Sequence, residues 1–590
     1  MSYIAPTHDM EFVLNELADL NGVAALPGYG DATPDLVSAV LEEAGKLASE
    51  VLAPLNRIGD EQGSKLEGEV VKTPHGWKEA YEQFIAGGWN GLAFSPDLGG
   101  QGLPWLVATA VQEMWHAANM SFGLCPLLTQ GAIEAIGLHG SDQLKAAYLE
   151  KMVTGEWTGT MNLTEPQAGS DLSAVRSKAE PNGDHYLISG QKIFITYGDH
   201  ELTENIIHLV LARTPDAPEG TKGISLFIVP KYILNADGTP GERNDVRTVS
   251  LEHKLGIHAS PTAVLSYGDN GGAVGYLVGE ENRGLVYMFT MMNLARHAVG
   301  VEGIAIAERA YQQALSFSKE RVQGRALDGS TDRVTIIHHP DVQRMLMTMR
   351  SQIEAMRAVA YLSASAFDKA LHHPDEDERK RQQGLMELLT PIVKGWSTEI
   401  GNDVAYLGVQ VHGGMGFIEE TGAAQHSRDA RITTIYEGTT GIQAGDLVGR
   451  KVLRDGGAVA RAAIAQMQTD CEGLSNINGL DSIMQSLKQG IDALEKSTEW
   501  VLQSVSKDPE LSAAAASPYL QLWGTVAGGW QLARAAKIAN AKLGSGGDDN
   551  FYKAKINSAK FYAANILPQA SAFEIAVTQG SQTVLEFEAA

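Results

Sequence analysis

One acid stands alone in a run of small and apolar residues. Glu437 is the only charged residue between Arg431 and Asp446. The apolar stretch before it would raise the pKa of its carboxyl group by desolvation, which brings a general base nearer to working pH. Gly438 follows and leaves room for a ligand to approach closely. The pattern predicts a general base; the alternative is a buried acid in a salt bridge.

The stretch MNLTEPQAGSD, residues 161–171, combines hydroxyl groups with open backbone. Thr164 and Ser170 supply hydroxyls, and Gly169 leaves a backbone N–H group free to donate. Such a loop can hydrogen-bond a heterocycle rich in acceptor atoms. The alternative is an ordinary capped turn, because Thr-Glu-Pro and Gly-Ser-Asp are frequent in turns.

Two further stretches have the composition of ligand sites. In KIFITYG, residues 192–198, Phe194 and Thr196 lie two apart and so on one face of a strand, where a ring and a hydroxyl could meet a flat ligand. In QVHGGMGF, residues 410–417, backbone N–H groups could face a pyrophosphate. The alternatives are a half-buried strand and a loop that ends a helix.

Composition excludes several classes of function. A formal net charge of −25 disfavours nucleic acid or an anionic membrane as a partner. The two cysteines, Cys125 and Cys471, lie far apart and give neither a metal spacing nor a disulfide framework, which fits a reducing compartment. No Rossmann, Walker or HExxH motif occurs, and the pair His338-His339 has no ligand partners at metal spacing. We expect no metal.

The N-terminus and the apolar windows indicate a cytoplasmic protein. No Lys or Arg precedes Lys46, so neither a secretory signal nor a transit peptide is expected. The most apolar windows, such as residues 206–212, are too short to span a bilayer. We expect no membrane association.

Hydrophobic periodicity predicts an α+β protein of several domains. Helical patterns cover 35–55, 77–87 and 105–151, with Asp31 or Thr33 as a cap, and return from 285 to 453 and over 456–590. Short runs rich in β-branched and aromatic residues, separated by turn signals such as Asn182-Gly183, predict a mostly antiparallel sheet between them. The predicted domains are an N-terminal extension 1–35, a helical domain 36–158, a β domain 159–280, a helical domain 281–455 and an additional helical domain 456–590.

Taken together, these stretches resemble the acyl-CoA dehydrogenase family over roughly residues 40–450. The resemblance rests on LTEPQAGSD, SGQKIFIT, LVGEENRG, ERVQGR, QVHGGMGF and RITTIYEGTTGIQ. It implies an N-terminal helical domain, a middle β domain and a C-terminal four-helix bundle, with FAD between the last two. It also implies α,β-dehydrogenation of an acyl-CoA thioester, electron-transfer flavoprotein as the acceptor, and a homodimer or a dimer of dimers that shares FAD.

The resemblance assigns roles to individual residues. Glu437 matches the base that removes the α-proton while the β-hydrogen leaves as hydride to flavin N5. Arg296 and Gly438 match the side that faces the acyl-CoA, to which Ser170 also contributes. The positions that match FAD contacts are Met161, Leu163, Thr164, Gly169 and Ser170 in the loop, Phe194, Ile195 and Thr196 in the strand, Arg321 and Gln323 at the phosphates, Gln410, Val411, Gly413 and Gly414 at the adenosine end of the neighbouring subunit, and Thr439 and Thr440 near the pyrophosphate.

Some positions depart from the family pattern. Phe194 stands where most members have Trp, Tyr197 replaces a usual Asn, Gly441 a usual Gln, and Gln425 a usual basic residue. Some members carry the base on another helix, but residues 291–300 here contain no acid. The reaction is therefore expected to depend on Glu437.

Length and pocket composition bear on the substrate. The chain resembles the long bacterial members of dimethylsulfoniopropionate breakdown, which implies 3-methylmercaptopropionyl-CoA as the substrate; a straight-chain acyl-CoA of short, medium or greater length is the alternative. Met114, Met120 and Phe122 suggest a short, soft-lined acyl cavity, although methionines at helical spacing are commonly core residues.

An acyl-CoA oxidase and a DNA-associated flavoprotein of the alkylation response are the remaining alternatives, and the acidic charge weighs against the latter.

Overall fold

The structure, a computed structural model, describes residues 3–327, 331–504 and 508–588. The chain begins with helices, as the periodicity from residue 35 predicts, and also forms short helices before that point. Thr33 caps α3, since its Oγ1 accepts a hydrogen bond from the backbone N–H of Leu36 at 3.3 Å. The elements are α1 Thr7–Phe12, α2 Leu20–Ala24, α3 Pro34–Lys46, α4 Ala53–Gln62, the hairpin β1 Lys65–Glu67 and β2 Val70–Lys72, α5 Trp77–Ala86, α6 Trp105–His139 and α7 Asp142–Val153.

Helix α6 is the central helix of this region, and it is kinked. Asn119 has non-helical angles, φ −157° and ψ 91°. Its side-chain amide donates to the Leu52 carbonyl at 3.3 Å, and its Oδ1 accepts from the Phe122 N–H at 3.1 Å. Among the described residues, α6 alone is long and apolar enough to cross a membrane, but 83% of its apolar window is buried inside the molecule. That burial accounts for its composition as a core helix.

An eight-stranded sheet follows, as predicted between the helical regions. Its order is β10-β11-β5-β12-β7-β6-β3, with β4 paired to β5, and every pair is antiparallel except β3 with β6. Asn182-Gly183 makes the predicted turn between β4 and β5, where Gly183 adopts φ +70°. The strands are β3 Trp157–Asn162, β4 Lys178–Asn182, β5 His185–Thr196, β6 Asn205–Ala212, β7 Ser225–Pro230, β8 Tyr232–Leu234, β9 Pro240–Arg243, β10 Val246–Leu251, β11 Thr262–Tyr267 and β12 Ala273–Leu277; β8 and β9 form a separate hairpin.

Long helices then pack side by side. The helical pattern predicted from 285 to 453 is interrupted by a hairpin in which Val322 pairs with Thr335 and Arg325 with Arg333. Gly324 adopts φ +75° within the first strand of this hairpin, a conformation that favours glycine. The elements are α8 Gly284–Glu320, β13 Val322–Arg325, β14 Arg333–Thr335, α9 Pro340–His372, α10 Glu376–His412, α11 Ala423–Ala430 and α12 Thr440–Asp446.

The last region is helical, as predicted, and packs on this bundle. Helix α15 runs against α10, where a Cβ built at Gly524 would lie 2.1 Å from Cγ of Trp396. Only a residue without a side chain admits the indole at that crossing. The helices are α13 Ala458–Glu472, α14 Asp481–Ser504, α15 Pro509–Lys542, α16 Asp549–Asn565, α17 Gln569–Ile575 and α18 Ser581–Leu585.

The first residues of the chain are packed against the last region. Asp9 pairs with Lys555 of α16, and Glu16 with Lys542 of α15 at 2.5 Å. The rings of His8 and Phe551 stack with their centroids 4.0 Å apart. Two acids of the N-terminal extension, Asp9 and Glu16, thus pair with lysines of the last helical region.

A buried ion cluster joins that segment to the helices. Arg357 of α9 pairs with Asp9 at 2.5 Å, with Glu113 of α6 at 2.5 Å and with Glu308 of α8 at 2.9 Å. Arg357 is 1% exposed and Glu113 is fully buried. Burial raises the pKa of Glu113, whereas the positive charge of Arg357 acts to lower it.

Candidate functional site

Glu437 lies in a tight turn between the 3-10 segment Arg431–Thr434 and α12. We call residues 436–438 the base turn. Glu437 adopts φ +55° and Gly438 φ +87°, so two consecutive residues have left-handed angles. A glutamate pays a steric cost for that conformation, which is uncommon outside glycine, asparagine and aspartate. The sequence did not predict the left-handed angle at Glu437. A Cβ built at Gly438 would lie 2.7 Å from Nε2 of Gln443, so the backbone of Gly438 packs closely against α12.

The surroundings of Glu437 suit a proton acceptor. Burial raises the pKa of its carboxyl group to about 7, while Arg296 and Lys394 act in the opposite direction. The side chain is partly exposed. A carboxyl group with such a pKa is poised to gain or lose a proton near neutral pH.

Arg296 is a buried residue of α8 rather than a residue of the helix surface. It is 4% exposed, and its Nη1 lies 3.2 Å from Oδ2 of Asp446. Burial lowers its pKa, and the charges of Asp446 and Glu437 raise it. The structure thus places Arg296 near the predicted base.

Three buried polar residues around the base turn were not found from the sequence. Lys394 of α10 donates from Nζ to the Gly438 carbonyl at 2.7 Å. Glu302 of α8 accepts a hydrogen bond from the hydroxyl of Tyr436, and burial raises its pKa to about 8. Gln443 donates to the carbonyls of Glu437 and Gly438 at 3.1 and 3.2 Å. Each lies in a helix of ordinary pattern, so no local signal distinguished them.

The segment before the base turn is tied to the β domain. Oδ1 of Asp429 accepts a hydrogen bond from the Ile257 N–H at 2.5 Å. Its neighbour Arg428 binds Asp60 of α4 through two nitrogens, at 2.8 and 2.5 Å. These contacts fix the segment that carries Glu437 relative to the β domain and to α4.

The predicted flavin loop, residues 161–170, is held to strand β5. The fully buried Lys192 donates to the Leu163 carbonyl at 3.1 Å and to Oε1 of Glu165 at 2.8 Å. The Ile193 N–H donates to the Thr164 carbonyl at 2.9 Å. Met161 is buried at the end of β3, while Gly169 and Ser170 are exposed. The structure therefore brings the predicted loop and the predicted strand together.

Phe194 lies at the surface of the sheet, next to a bulge in β5. Strand β11 pairs Ala263 with Ile195 and Leu265 with Lys192, so β5 bulges between these pairs, and Phe194 adopts φ +60°. Along β5, Phe194 is exposed, Ile195 is buried and Thr196 is half-buried, an alternation that places Phe194 and Thr196 on the same side of the strand. The Phe194 ring is 58% exposed. Ile195 is 2% exposed and points into the core of the sheet, so its side chain is not available to a ligand.

The remaining predicted cofactor residues are mostly at the surface. Arg321 and Gln323 are exposed at the start of the β13–β14 hairpin, and the Gln323 carbonyl contacts Nε2 of His339 at 2.7 Å. Gln410, Gly413 and Gly414 are exposed, whereas Val411 is buried and packs inward. No group of three metal-ligating side chains occurs in the ranges that the structure describes.

Thr439 and Thr440 already have partners within the chain. Oγ1 of Thr439 accepts from the Ile442 N–H at 3.3 Å and caps α12, which leaves its hydrogen free to donate. The hydroxyl of Thr440 donates to Glu399 at 2.5 Å. Of the two, Thr439 is the better donor to a phosphate.

A flavin dinucleotide suits these residues. A Cβ built at Gly169, Gly413 or Gly414 would meet no atom within 4 Å, so the backbone there faces open space. An exposed aromatic ring at Phe194 offers a flat apolar surface, and Ser170 lies exposed at the end of the adjoining loop. The donors and the ring match a ligand with a flat heterocycle and phosphates.

The residues that suggested a short acyl cavity, Met114, Met120 and Phe122, are buried in the N-terminal helical domain. Phe122 is fully buried in an aromatic cluster with Trp77, Tyr81 and Phe84, at centroid distances of 5.7 to 6.4 Å. Met114 is fully buried and Met120 is 2% exposed. These residues act as core side chains, which is the alternative that the sequence left open.

Comparisons with known proteins agree with this architecture. Four family models match: the acyl-CoA dehydrogenase N-terminal domain over 37–156, its middle domain over 160–269, its C-terminal domain over 282–453, and an acetyl-CoA dehydrogenase C-terminal-like domain over 463–588. The last match covers most of the additional helical region.

Curated relatives match over nearly the whole length. The chain is 52% identical over 589 residues to a 3-methylmercaptopropionyl-CoA dehydrogenase of Ruegeria pomeroyi, covering 99% of both chains. It is 33% identical over 601 residues to a butyryl-CoA dehydrogenase of Syntrophomonas wolfei, covering 99% of this chain and 98% of the relative.

A solved structure confirms the fold. An acyl-CoA dehydrogenase from Bacillus anthracis, complexed with FAD, superposes with a TM-score of 0.75 at 20% identity, over 98% of this chain and 92% of that one. The extensive matches of sequence and fold, together with the geometry of the site, show that the chain belongs to the acyl-CoA dehydrogenase family, whose members are oxidoreductases that act on carbon–carbon single bonds.

Proposed function

We propose that this protein oxidises 3-methylmercaptopropionyl-CoA to methylthioacryloyl-CoA, with FAD as cofactor. The observation that carries the reaction is the environment of Glu437, a carboxyl group with a pKa of about 7 that faces the cations Arg296 and Lys394. The substrate is supported by the full-length likeness to the Ruegeria enzyme of that name. The solved relative in complex with FAD supports the cofactor.

The residues of the site have distinct tasks in this reaction. Glu437 removes a proton from the carbon α to the thioester carbonyl and holds it on its carboxylate. The backbone N–H of Glu437 can donate to the thioester oxygen as negative charge develops there. When bound, FAD would supply the acceptor for the β-hydrogen, which leaves as hydride. Phe194 supplies a surface against which the ring system packs, and Thr164, Ser170 and Thr439 supply hydroxyl groups.

The exposed residues far from the base suggest a shared cofactor. We assign Arg321 and Gln323 to the phosphates of FAD, and Gln410, Gly413 and Gly414 to the adenosine end of a neighbouring subunit. Apolar side chains next to them are exposed, among them Met415 at 49% and Phe417 at 86%. A homodimer or a dimer of dimers would cover this surface. Sedimentation with and without FAD tests this assignment, and a monomer that binds one FAD would refute it.

The electron acceptor and the compartment complete the proposal. We assign electron-transfer flavoprotein as the acceptor and the cytoplasm as the location. An oxidase would instead pass its electrons to O₂. Flavin reduced by substrate should therefore reoxidise slowly in air and quickly with a one-electron acceptor, whereas rapid reoxidation in air would identify an oxidase.

A panel of thioesters tests the substrate. Purified protein is assayed with a ferrocenium acceptor and 3-methylmercaptopropionyl-, butyryl-, octanoyl- and palmitoyl-CoA. We expect the highest kcat/KM with the first. Higher kcat/KM with octanoyl- or palmitoyl-CoA would refute that substrate but preserve the reaction. Glu437→Gln should retain yellow flavin and lose turnover by about 10²- to 10⁴-fold, the range for a general base.

A further inference from the structure

Lys394 is a buried lysine in the middle of the long helix α10. Its side chain is fully buried, and Nζ donates to the Gly438 carbonyl at 2.7 Å. Within the described parts of the chain, no carboxylate lies within 4.0 Å of Nζ. A buried ammonium without a contacting carboxylate is unfavourable, so its presence beside the base turn calls for a physical reason.

The last helical region shields Lys394 from water. Gly395 follows Lys394, and a Cβ built there would lie 2.8 Å from Leu520 of α15 and 3.3 Å from Cβ of Gln443. Glycine thus lets α15 approach α10 beside the lysine. Leu520 is fully buried and brings no charge to the contact. The back of the base turn is therefore covered by a helix outside the catalytic bundle.

The base turn needs to be held in place. Glu437 and Gly438 both have left-handed angles, and a left-handed glutamate persists only when its surroundings determine it. The Gly438 carbonyl accepts hydrogen bonds from both Lys394 and Gln443. Because these donors sit on two different helices, the turn is fixed from two directions.

Four charged groups face Lys394, and they come from three elements. Glu437 lies in the base turn, Glu302 and Arg296 lie on α8, and Glu399 lies one turn further along α10. Arg296 is engaged by Asp446, and Glu399 by Thr440. The helix α15 contributes the apolar Leu520 to the cover. Lys394 is thus a cation beside Glu437, and within the described residues its Nζ donates to the turn that carries this acid.

We propose that Lys394 is a positioning residue that clamps the base turn through the Gly438 carbonyl and whose positive charge keeps the Glu437 carboxylate ionised once acyl-CoA covers it. The proposal rests on the proposed function, because it concerns Glu437 acting as the base. Acyl-CoA displaces water from the carboxylate and thereby favours its protonated form, which cannot accept the α-proton. A fixed cation behind the turn opposes that change without contacting the substrate.

The test compares Lys394→Met with Lys254→Met in the full-length enzyme loaded with FAD. Lys254 is a matched control, because its Nζ also donates to a backbone carbonyl, that of Ser260 at 3.0 Å, but in the β domain. The pH profile of kcat/KM is measured with the best thioester of the panel. We expect the acid limb of Lys394→Met to move upward by about one pH unit or more, because a nearby opposite charge shifts a carboxyl pKa by that amount. Lys254→Met should keep the wild-type limb.

A titration without turnover provides a second readout. Acetoacetyl-CoA has α-hydrogens acidic enough to be removed without hydride transfer, and its enolate gives a long-wavelength absorption band beside oxidised flavin. The pH at which the band forms should rise in Lys394→Met as the acid limb does. Lys394→Gln, which is uncharged but polar, should behave in the same way if Lys394→Met fails to accumulate.

The failures of the two proposals are distinguishable. A variant that keeps its flavin and shows an unmoved acid limb and an unmoved enolate titration overturns the role of Lys394 and leaves the dehydrogenase function standing. An equal shift in Lys254→Met also overturns it, since the effect would then not be local. A wild-type protein that reduces its flavin with no thioester of the panel overturns the proposed function itself.

Discussion

Gly524 of α15 lies directly against the indole of Trp396 on α10, so close that a Cβ would come within 2.1 Å of the ring. Trp396 is fully buried and has no space to retreat. We expect Gly524→Ala to destabilise the protein by about 2 kcal/mol, the usual cost of overpacking a core. Urea unfolding followed by tryptophan fluorescence measures the change.

Gly137→Ala is the matched control for that substitution. Gly137 also lies inside a long helix, but a Cβ there meets no atom within 4 Å. Alanine should therefore leave the stability unchanged or raise it by up to about 1 kcal/mol. Equal destabilisation by the two substitutions would show that the contact with Trp396 is not the cause.

The buried cluster around Arg357 makes a second prediction. Arg357→Met leaves Glu113 and Glu308 without their shared cation, and an uncompensated buried charge costs about 3–5 kcal/mol. We expect a loss of stability of that size in urea unfolding. Arg344→Met, on the same helix, removes an exposed pair with Asp341 and should change the stability by less than about 1 kcal/mol. Similar losses in both variants would contradict the assignment.

Lys192 makes a third prediction, which concerns the flavin loop. Without its ammonium, the Leu163 carbonyl and the Glu165 carboxylate lose the donor that fixes the loop to β5. Lys192→Met should therefore retain FAD at least about tenfold more weakly, the effect of about 1.4 kcal/mol. Flavin fluorescence released on dialysis measures this, with Lys178→Met, an exposed lysine of β4, as the control. Unchanged retention would show that the loop is held by its other contacts.

The fourth prediction is the pH dependence of activity. The pKa of Glu437 is raised to about 7, and the base must be ionised to accept a proton. The logarithm of kcat/KM should therefore be flat above that pH and fall with unit slope below it. A profile that stays flat to pH 5 would contradict the raised pKa.

The raised pKa of Glu437 also makes the stability depend on pH, but in the opposite direction to activity. Because burial raises the pKa of Glu437, the folded protein binds a proton here more tightly than the unfolded chain does. The stability contributed by this group is present below the unfolded value and is lost as the pH rises through about 7. Glu437→Gln should thus have a higher melting temperature than the wild type at pH 8 and a similar one at pH 4. A lower melting temperature at pH 8 would contradict this sign.

The sequence predicted the fold well where its signals are local. Helical periodicity, the Thr33 cap and the Asn182-Gly183 turn are set by residues close together in the chain, and the structure has each of them. The family resemblance is confirmed by the four matching family models. The additional helical region after residue 455 was also predicted from periodicity alone.

The support of the site could not be predicted in the same way. Lys394 and Glu302 meet the base turn only through the crossing of α8 and α10, and nothing in their own segments marks that crossing. The bulge beside Phe194 depends on pairing with β11, far along the chain. The packing of Phe122 in an aromatic cluster likewise depends on α5. Long-range geometry decided each of these features.

The contacts of Asp9 and Glu16 with Lys555 and Lys542 have a consequence for protein engineering. The first residues and the last helical region therefore pack together as one unit on the dehydrogenase fold, although more than 500 positions separate them in the sequence. A chimaera that exchanges only the last helical region would remove the lysines that pair with Asp9 and Glu16. The reverse exchange would leave Lys555 and Lys542 without these carboxylates. Recombination with shorter homologues should therefore swap both ends together.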